Sequence, residues 1–296
     1  MPFEADRSYE LKSDEELGAG LRRVAAGRAE KALERLRDEE DRAKAVHGAR
    51  KDLKKLRTVL RLVRGELPKA LHKEESQRYR EAGRALSASR DATVKLATLD
   101  RLADAQGLPT EATEAWRAIL DRDREAAANA GADEGTVIAQ LEAGLTSIRQ
   151  WSLEGDSWRL VGPSVERTYR RGRRAMRAAE SEPSEECLHR WRKRGKDLWY
   201  ELTLLSGAWP RPLEATAEEA HRLTELLGDH HDLALLRADL HERRLGEGET
   251  RALEAAIDAR QEQLAAEAFD LGHRLYAEKP KAFERRLRRY WRAWRG

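Results

Sequence analysis

A basic motif occurs twice in this chain, at positions 142 residues apart. The pattern H-x-x-R-K-x-x-K begins at His47 and begins again at His189. A second pattern, L-x-x-x-[RH]-D-x-x-[VL], begins at Leu86 and again at Leu227, an offset of 141 residues. Two separate motifs that share nearly one offset predict a duplicated unit. We therefore expect two similar bundles that face each other across a pseudo-twofold axis.

The residue pattern within both copies is helical. Ala, Leu, Glu and Arg dominate, β-branched runs are absent, and apolar residues recur at intervals of three and four. These features predict an all-α fold, with a bundle of about four core helices in residues 1–150 and a second bundle in residues 164–296. The predicted helices cover roughly residues 13–42, 46–67, 70–89, 91–107, 110–131, 133–150, 163–180, 185–206, 214–228, 230–245, 248–277 and the residues after 280.

Local signals predict where these helices begin and end. Ser13 with Glu16 three residues later is typical of a capping box at the start of the first helix. Residues 228–229, Gly-Asp, predict a break between two helices, and residues 209–212, Trp-Pro-Arg-Pro, predict a turn. Residues 151–163 are rich in Gly, Pro, Ser and Asp and predict the boundary between the bundles.

The helix with the first motif carries charge of almost one sign. Between Arg42 and Arg64 the chain has nine Lys or Arg residues and one acid, Asp52. At 100° per residue the basic side chains of the motif share one side of the helix, opposite an apolar side. Such a stripe costs self-repulsion unless an anion occupies it, because mixed signs would instead give favourable i,i+4 pairs. Similar stripes occur in the predicted helices 163–180 and 185–206. In the predicted helix 13–42, by contrast, the basic stripe of Arg28, Lys31 and Arg35 continues the apolar face of the helix.

The four stripes have a spacing that suits a linear polyanion. Lys and Arg on successive helical turns repeat every ~5.4 Å. Every second phosphorus of a linear phosphoanhydride chain repeats at a comparable distance, taking about 3 Å between neighbours. Arg offers bidentate donors and Lys a point charge, and a nearby anion raises the pKa of His toward a donating imidazolium. The stripes together predict a positive groove or pore. The candidate binding residues are Arg28, Lys31, Arg35, His47, Arg50, Lys51, Lys54, Arg57, Arg61, Arg170, Arg171, Arg174, Arg177, His189, Arg192, Lys193 and Lys196.

Each of these features also has a purely structural interpretation. A basic helix face is commonly a solvated surface, and His47 and His189 fit structural hydrogen bonding as well as phosphate contact. Asp91 and Asp232 fit helix caps or partners of the stripe arginines better than catalytic acids. The sequence predicts no catalytic residue, no metal site and no cofactor.

The composition of the chain bears on the cellular compartment in which we expect the protein. The chain has 296 residues, a formal net charge of +3 and a single cysteine, Cys187. One cysteine excludes an internal disulfide and a cysteine-based zinc cluster. No apolar run approaches the ~18 residues of a membrane span, and the N-terminus has neither the basic nor the apolar region of a secretory signal. We expect a cytoplasmic protein.

These residues resemble the CHAD domain (conserved histidine α-helical domain) family over nearly the whole chain. The resemblance rests on the two basic motifs, on the Arg90-Asp91 pair, on the basic helix around residues 169–174 and on the ending at residues 272–280. It implies two four-helix bundles in pseudo-symmetry that bind inorganic polyphosphate through a basic surface or central pore, without catalysis. A protein that binds polyphosphate could also associate with polyphosphate granules.

The second motif departs from the first after Lys196. Residues 197–200 read Asp-Leu-Trp-Tyr, where residues 55–58 of the first copy read Lys-Leu-Arg-Thr. An acid and a tryptophan replace two cations, and a tyrosine replaces a threonine. We therefore expect the second copy to contribute fewer phosphate contacts than the first.

Two other functions stay open at this point. A basic groove also suits the phosphodiesters of nucleic acid, and Trp199, near the edge of the second stripe, is placed to stack on a base of RNA or single-stranded DNA. His231-Asp232 is similar to the HD pair of metal-dependent phosphohydrolases, but the matching pair in the first copy is Arg90-Asp91. Arginine is not a metal ligand, which weakens the hydrolase interpretation.

The basic and aromatic run at residues 283–296 has two interpretations. It can bind an acidic surface such as a granule or an anionic membrane. Alternatively, Phe283, Leu287, Tyr290 and Trp294 close the second bundle and leave the arginines outside, which is the interpretation we favour.

Overall fold

The computed structural model describes residues 7–38, 41–86, 90–108, 110–129, 134–243 and 247–296. Within these ranges the chain forms eleven α-helices, three short 3-10 turns and no β-strand, so the predicted all-α class is confirmed. The helices are α1 (Leu17–Arg37), α2 (Arg42–Leu62), α3 (Lys69–Ala85), α4 (Arg90–Gln106), α5 (Thr110–Asn129), α6 (Glu134–Arg149), α7 (Gly162–Ser181), α8 (Glu185–Leu205), α9 (Pro210–Arg243), α10 (Glu247–Leu275) and α11 (Pro280–Arg295).

The start of α1 differs from the prediction. The helix begins at Leu17, and Glu16 makes no side-chain cap, so the capping box at Ser13 and Glu16 is wrong. Instead, the backbone N–H of Leu17 donates to Oδ1 of Asp156 at 2.9 Å. The carboxylate comes from the segment between the predicted bundles, 139 residues away in sequence. Because the residue that caps α1 is distant in sequence, no local sequence pattern predicts this cap.

α9 is one continuous helix, and the predicted break at residues 228–229 is wrong. Glycine at position 228 leaves room for a side chain of α8, because a Cβ atom there would lie 3.1 Å from Nε and Nη2 of Arg192. A single glycine inside a helix costs only about 1 kcal/mol relative to alanine. The predicted turn at residues 209–212 is also largely helical, because Pro210 and Pro212 fall in the first turn of α9, where proline is tolerated.

The main hydrophobic core runs through both predicted bundles. Its buried side chains come from α1, α2, α3 and α6 and equally from α7, α8, α9, α10 and α11. The segment before α7 packs into this core through Trp151 and Trp158. On α11, Phe283 and Leu287 are buried, and Tyr290 and Trp294 pack against the same core, so the C-terminal run closes the fold as predicted. The exact duplication, and the division at residues 151–163, stay predictions.

A second, smaller core lies beside the first. Leu99 and Leu102 of α4 and Trp116 of α5 pack against the end of α9 and the start of α10, through side chains such as Leu236 and Ile257. The α4–α5 hairpin of the first predicted bundle therefore packs on helices of the second. This packing places α4 beside α9, and α2 also contacts α8. These four helices enclose the candidate site.

Candidate functional site

The two basic motifs meet in one groove between α2, α4, α8 and α9. The groove has a volume of about 640 Å³. Its first wall is α2, which contributes His47, Arg50, Lys51 and Lys54, all from the first motif. Arg192 and Lys196 of α8 come from the second motif, and Arg101 comes from α4.

On α2, the one acid of the motif does not face the groove. Asp52 is buried and accepts hydrogen bonds from Nη1 of Arg28 at 3.0 Å and from Nε of Arg35 at 3.1 Å. Its charge is therefore compensated on the α1 side of the helix. On the groove side, Nη1 of Arg50 donates to the backbone oxygen of Leu86 at 2.9 Å, which holds the end of α3 against this wall.

The α8 wall combines cations with aromatic rings. Arg192 lies against Gly228 of α9, and Lys196 follows one turn later. Trp199 also lines the groove, but its ring already packs against two other rings. The centroid of its ring lies 4.5 Å from that of Tyr200 and 3.8 Å from that of His221. The aromatic residue that we considered for base stacking is therefore packed against two rings of the protein.

α9 brings an acidic wall to the same groove. Glu225, Asp229 and Asp232 line it, so six Lys or Arg side chains face three acids. Burial raises the pKa of Asp229, although Arg101, whose Nη2 lies 3.4 Å from Oδ1, acts in the opposite direction. Asp232 lies inside α9 and is therefore not a helix cap. The groove is positive overall, and five of its six Lys or Arg side chains lie on α2 and α8.

His189 does not line the groove, and its imidazole lacks the positive charge that would attract an anion. Its ring packs on the ring of His231 at 4.1 Å. Burial, and after it the charges of His231, Lys193 and Arg192, lower the pKa of His189 to about 4. The imidazole is thus neutral near pH 7. Among the described residues its buried Nδ1 has no hydrogen-bond partner.

One groove cation, Arg101, escaped the sequence analysis. Arg101 follows Val94 and Ala97 on α4, and all three line the groove. Their spacing of three and four residues after the second pattern places them on one helix face. That spacing was the available signal, but it has meaning only once α4 is known to cross beside α9.

Comparison with known proteins identifies the family of this chain. The sequence profile of the CHAD domain family matches residues 23–241, a range that includes both basic motifs. The chain belongs to the CHAD domain family. A search of curated proteins gave no match.

Two solved structures share the fold of this CHAD domain. The crystal structure of the CHAD domain from the plant Ricinus communis has a TM-score of 0.63 and 19% identity, over 94% of this chain and 96% of that chain. PptA from Streptomyces chartreusis has a TM-score of 0.60 and 15% identity, over 88% of this chain and 100% of that chain. At such identities the likeness establishes the fold alone.

In this CHAD domain, eleven of the seventeen predicted binding residues lie outside the groove. Arg28 is buried against Asp52, and Arg35 shares the same carboxylate. Arg170 pairs with Glu166 at 2.7 Å. The remaining predicted residues outside the groove are Lys31, Arg57, Arg61, Arg171, Arg174, Arg177, His189 and Lys193.

Beyond the groove, Asp197 joins α2 to α8. One carboxylate oxygen lies 3.0 Å from Nη2 of Arg61, and the other accepts a hydrogen bond from Nη1 of Arg194 at 2.9 Å. This is the acid that stands where the first motif has Lys55. It therefore has a structural role, because it holds the two motif helices together at their crossing.

A second concentration of arginines surrounds that crossing. Burial lowers the pKa of Arg57, and the charges of Arg61, Arg80 and Arg84 lower it further. On the facing helices, burial and the neighbouring Arg194 lower the pKa of Arg171. At both arginines the carboxylate of Asp197 acts in the opposite direction.

Three findings concern metal binding, the HD pair and membrane insertion. Within the described ranges, no group of three or more His, Cys, Asp or Glu side chains is arranged to hold a metal ion. His231 of the HD pair packs on His189, whereas Asp232 faces the groove. None of the helices in the described ranges is both long and apolar enough to cross a bilayer.

Proposed function

We propose that this CHAD domain binds inorganic polyphosphate in the groove between α2, α4, α8 and α9, without altering it chemically. The observation that carries the proposal is that cations from both copies of the motif line a single groove. Nothing in the sequence pattern alone requires two stripes 142 residues apart to meet. Membership of the CHAD family supports the same ligand.

The α2 wall supplies the linear part of the site. Residues 47–54 of α2 cover two helical turns, or roughly 10 Å, and present four donors along the groove. Each turn can contact phosphate oxygens of a chain that runs along the helix, and Arg50 can engage them in bidentate fashion. Arg192 and Lys196 then contact the chain from the opposite side.

Charge reversal in the groove tests the proposal. The groove variant carries R50E, K54E, R192E and K196E. A control variant with the same change in net charge carries K69E, K73E, R251E and R274E, at exposed positions that do not line the groove. Affinity for polyphosphate of defined length is measured by calorimetry, and helicity by circular dichroism. We expect the groove variant to lose more than about 100-fold in affinity, since each lost charge-assisted contact contributes roughly 1.5 kcal/mol.

The control variant should keep most of its affinity, and both variants should keep wild-type helicity. Full affinity in the groove variant would place the site elsewhere. Equal losses in both variants would mean that net charge, not the groove, governs binding.

Competition distinguishes polyphosphate from nucleic acid. Labelled polyphosphate is displaced with unlabelled polyphosphate, single-stranded DNA or RNA at one salt concentration, because salt changes all three affinities. We expect polyphosphate to compete best, because Trp199 is already packed against Tyr200 and His221. Preference for either nucleic acid would overturn the proposal. Association with polyphosphate granules in cells, lost in the groove variant, would extend it.

A further inference from the structure

The basic stripe of α2 continues beyond the groove. Lys54 is the last α2 residue that lines the groove, and Arg57 and Arg61 follow it three and seven residues later. At 100° per residue both side chains lie on the same side of the helix as the groove residues. The 3-10 turn that follows α2 then adds Arg64. A ligand that lies along this stripe can therefore extend past the end of the groove.

Other helices bring more arginines to this end of α2. Both α3 and α7 pack on α2. Arg80 and Arg84 on α3 lie close enough to Arg57 for their charges to act on it. The charges of Arg64 and Arg167 act in the same way on Arg171 of α7. Among the described residues, none of these six guanidinium groups makes a hydrogen bond or an ion pair. We name the six residues the crossing cluster: Arg57, Arg64, Arg80, Arg84, Arg167 and Arg171.

The two carboxyl groups of α8 beside the crossing cluster do not neutralise it. The oxygens of Asp197 already pair with Arg61 and Arg194. Glu201 is buried, and burial raises its pKa to about 8, so this carboxyl is mostly protonated at pH 7. Arg57 is half-buried and therefore loses part of its hydration without gaining a partner among the described residues. An anion from outside would compensate these charges.

We propose that one polyphosphate chain fills the groove and continues into the crossing cluster, so that the protein selects long chains over short ones. This inference rests on the proposed function. Taking about 3 Å between neighbouring phosphorus atoms, residues 47–54 of α2, which span roughly 10 Å, hold about four phosphates. Residues 47–61 span roughly 21 Å, so a chain of about eight phosphates reaches the cluster. A shorter chain gains only the groove contacts.

The boundary between the groove and the crossing cluster lies at Asp197. Lys196 lines the groove, and the next residue, Asp197, faces the crossing of α2 and α8 instead. The first motif has Lys55 at the matching position, so an unbroken row of cations there is replaced by a carboxylate in the second motif. A chain that leaves the groove gains new contacts only beyond this carboxylate. Affinity should therefore increase in a step once the chain is long enough to pass it.

Chains of defined length test this inference. Calorimetry measures affinity for polyphosphates of about 4 and about 14 phosphates, which lie below and above the step. The cluster variant neutralises three exposed arginines and carries R80Q, R84Q and R171Q. The matched control removes the same charge at exposed positions of α10 and α11 and carries R251Q, R274Q and K281Q. We expect the cluster variant to lose at least about tenfold in affinity for the long chain and little for the short chain. The control should match wild type at both lengths.

The ratio of the two affinities, variant to wild type at each length, is the deciding quantity. A long chain can bind the groove in more registers than a short one, but this advantage is the same in both proteins. Equal losses at both lengths would show that the cluster acts only through its general field. Full long-chain affinity in the cluster variant, or two short chains bound per wild-type protein, would also overturn the inference. So would a cluster variant that loses affinity for single-stranded RNA alone.

The proposed function fails on a different observation, because none of the crossing cluster lines the groove. The groove variant should lose affinity for both chain lengths. If it kept full affinity for the short chain, the groove would not be the site, whatever the cluster variant shows.

Two measurements on the unmodified protein keep the result independent of folding defects. Hydrogen exchange should show protection at α2 and α8 with both chains and additional protection at α3 and α7 with the long chain alone. The plot of log affinity against log salt should be steeper for the long chain, because more phosphates are neutralised. The same protection pattern with both lengths would count against a second contact.

Discussion

Three aspartates lie in or beside the repeated motifs, and the direction of each side chain affects the charge of the groove. Asp52 turns inward to Arg28 and Arg35. Asp197 is held at the crossing of α2 and α8, and Asp232 faces the groove. Sequence position alone makes all three look alike. Arg28, Arg35 and Arg61 come from other helices, so the roles of Asp52 and Asp197 could not be predicted from periodicity.

Removal of the Asp232 charge should strengthen polyphosphate binding. Asp232 lines the groove and has no hydrogen bond or ion pair among the described residues, so D232N leaves no cation newly unpaired. Loss of one repulsive charge at the rim is expected to raise affinity about fivefold, or ~1 kcal/mol. Calorimetry against wild type and the distant exposed variant E267Q gives the comparison. Weaker binding in D232N would show that the acid holds a groove cation in place.

Glu201 should make stability depend on pH in an unusual direction. It is buried, accepts a hydrogen bond from Oγ1 of Thr168 at 2.7 Å, and burial raises its pKa from 4.5 to about 8. The folded state therefore keeps a proton that the unfolded state releases, and this contribution to stability, complete below pH 4.5, is lost as pH rises through 8.

The variant E201Q keeps an acceptor for Thr168 but cannot ionise. From pH 4.5 to pH 8, its free energy of unfolding in urea should gain at least ~1 kcal/mol relative to wild type. E267Q, at an exposed position, should follow the wild-type profile. Parallel profiles for wild type and E201Q would show that the carboxyl ionises without cost.

At the scale of helices, local signals predicted that a helix exists better than they predicted where it is continuous or which helices it packs against. The periodicity located the helices that the structure shows, apart from the false break inside α9. That error came from Gly228, which is a glycine because Arg192 on another helix packs against it, and not because the helix ends there. Arg101 was missed for a similar reason, because its place in the groove follows from α4 packing on α9. Both depend on contacts between helices that are distant in sequence.

α2 should contribute more to binding than α8. The first motif supplies four groove residues and the second supplies two, because His189 and Lys193 lie outside the groove. The variants R50E/K51E/K54E and R192E/K196E reverse every groove Lys or Arg of the first and of the second motif. The α2 variant changes one cation more, so we expect it to lose roughly tenfold more affinity, equivalent to ~1.4 kcal/mol. Equal losses, measured by the same calorimetry, would mean that both helices contact the chain equally.

Over the whole molecule, a net charge of +3 gives a weak overall field, so binding must depend on the local concentration of cations. The plot of log affinity against log salt should therefore have a slope of about −4, because six Lys or Arg side chains line the groove and each neutralised phosphate contributes about −0.7 in single strands. The groove variant should show a much shallower slope. A slope near zero for wild type would exclude an electrostatic site.

The packing of α4 and α5 against α9 and α10 also sets an order of events during synthesis. Trp116 leaves the ribosome about 140 residues before its partner Ile257, a delay of roughly 10 s at typical rates of translation. During that delay the nascent chain exposes the apolar side of the α4–α5 hairpin, a natural client for a chaperone. Because α4 and α9 are both walls of the groove, a truncated product cannot assemble it. The groove that we propose to bind polyphosphate is thus complete only in chains whose synthesis has passed α9.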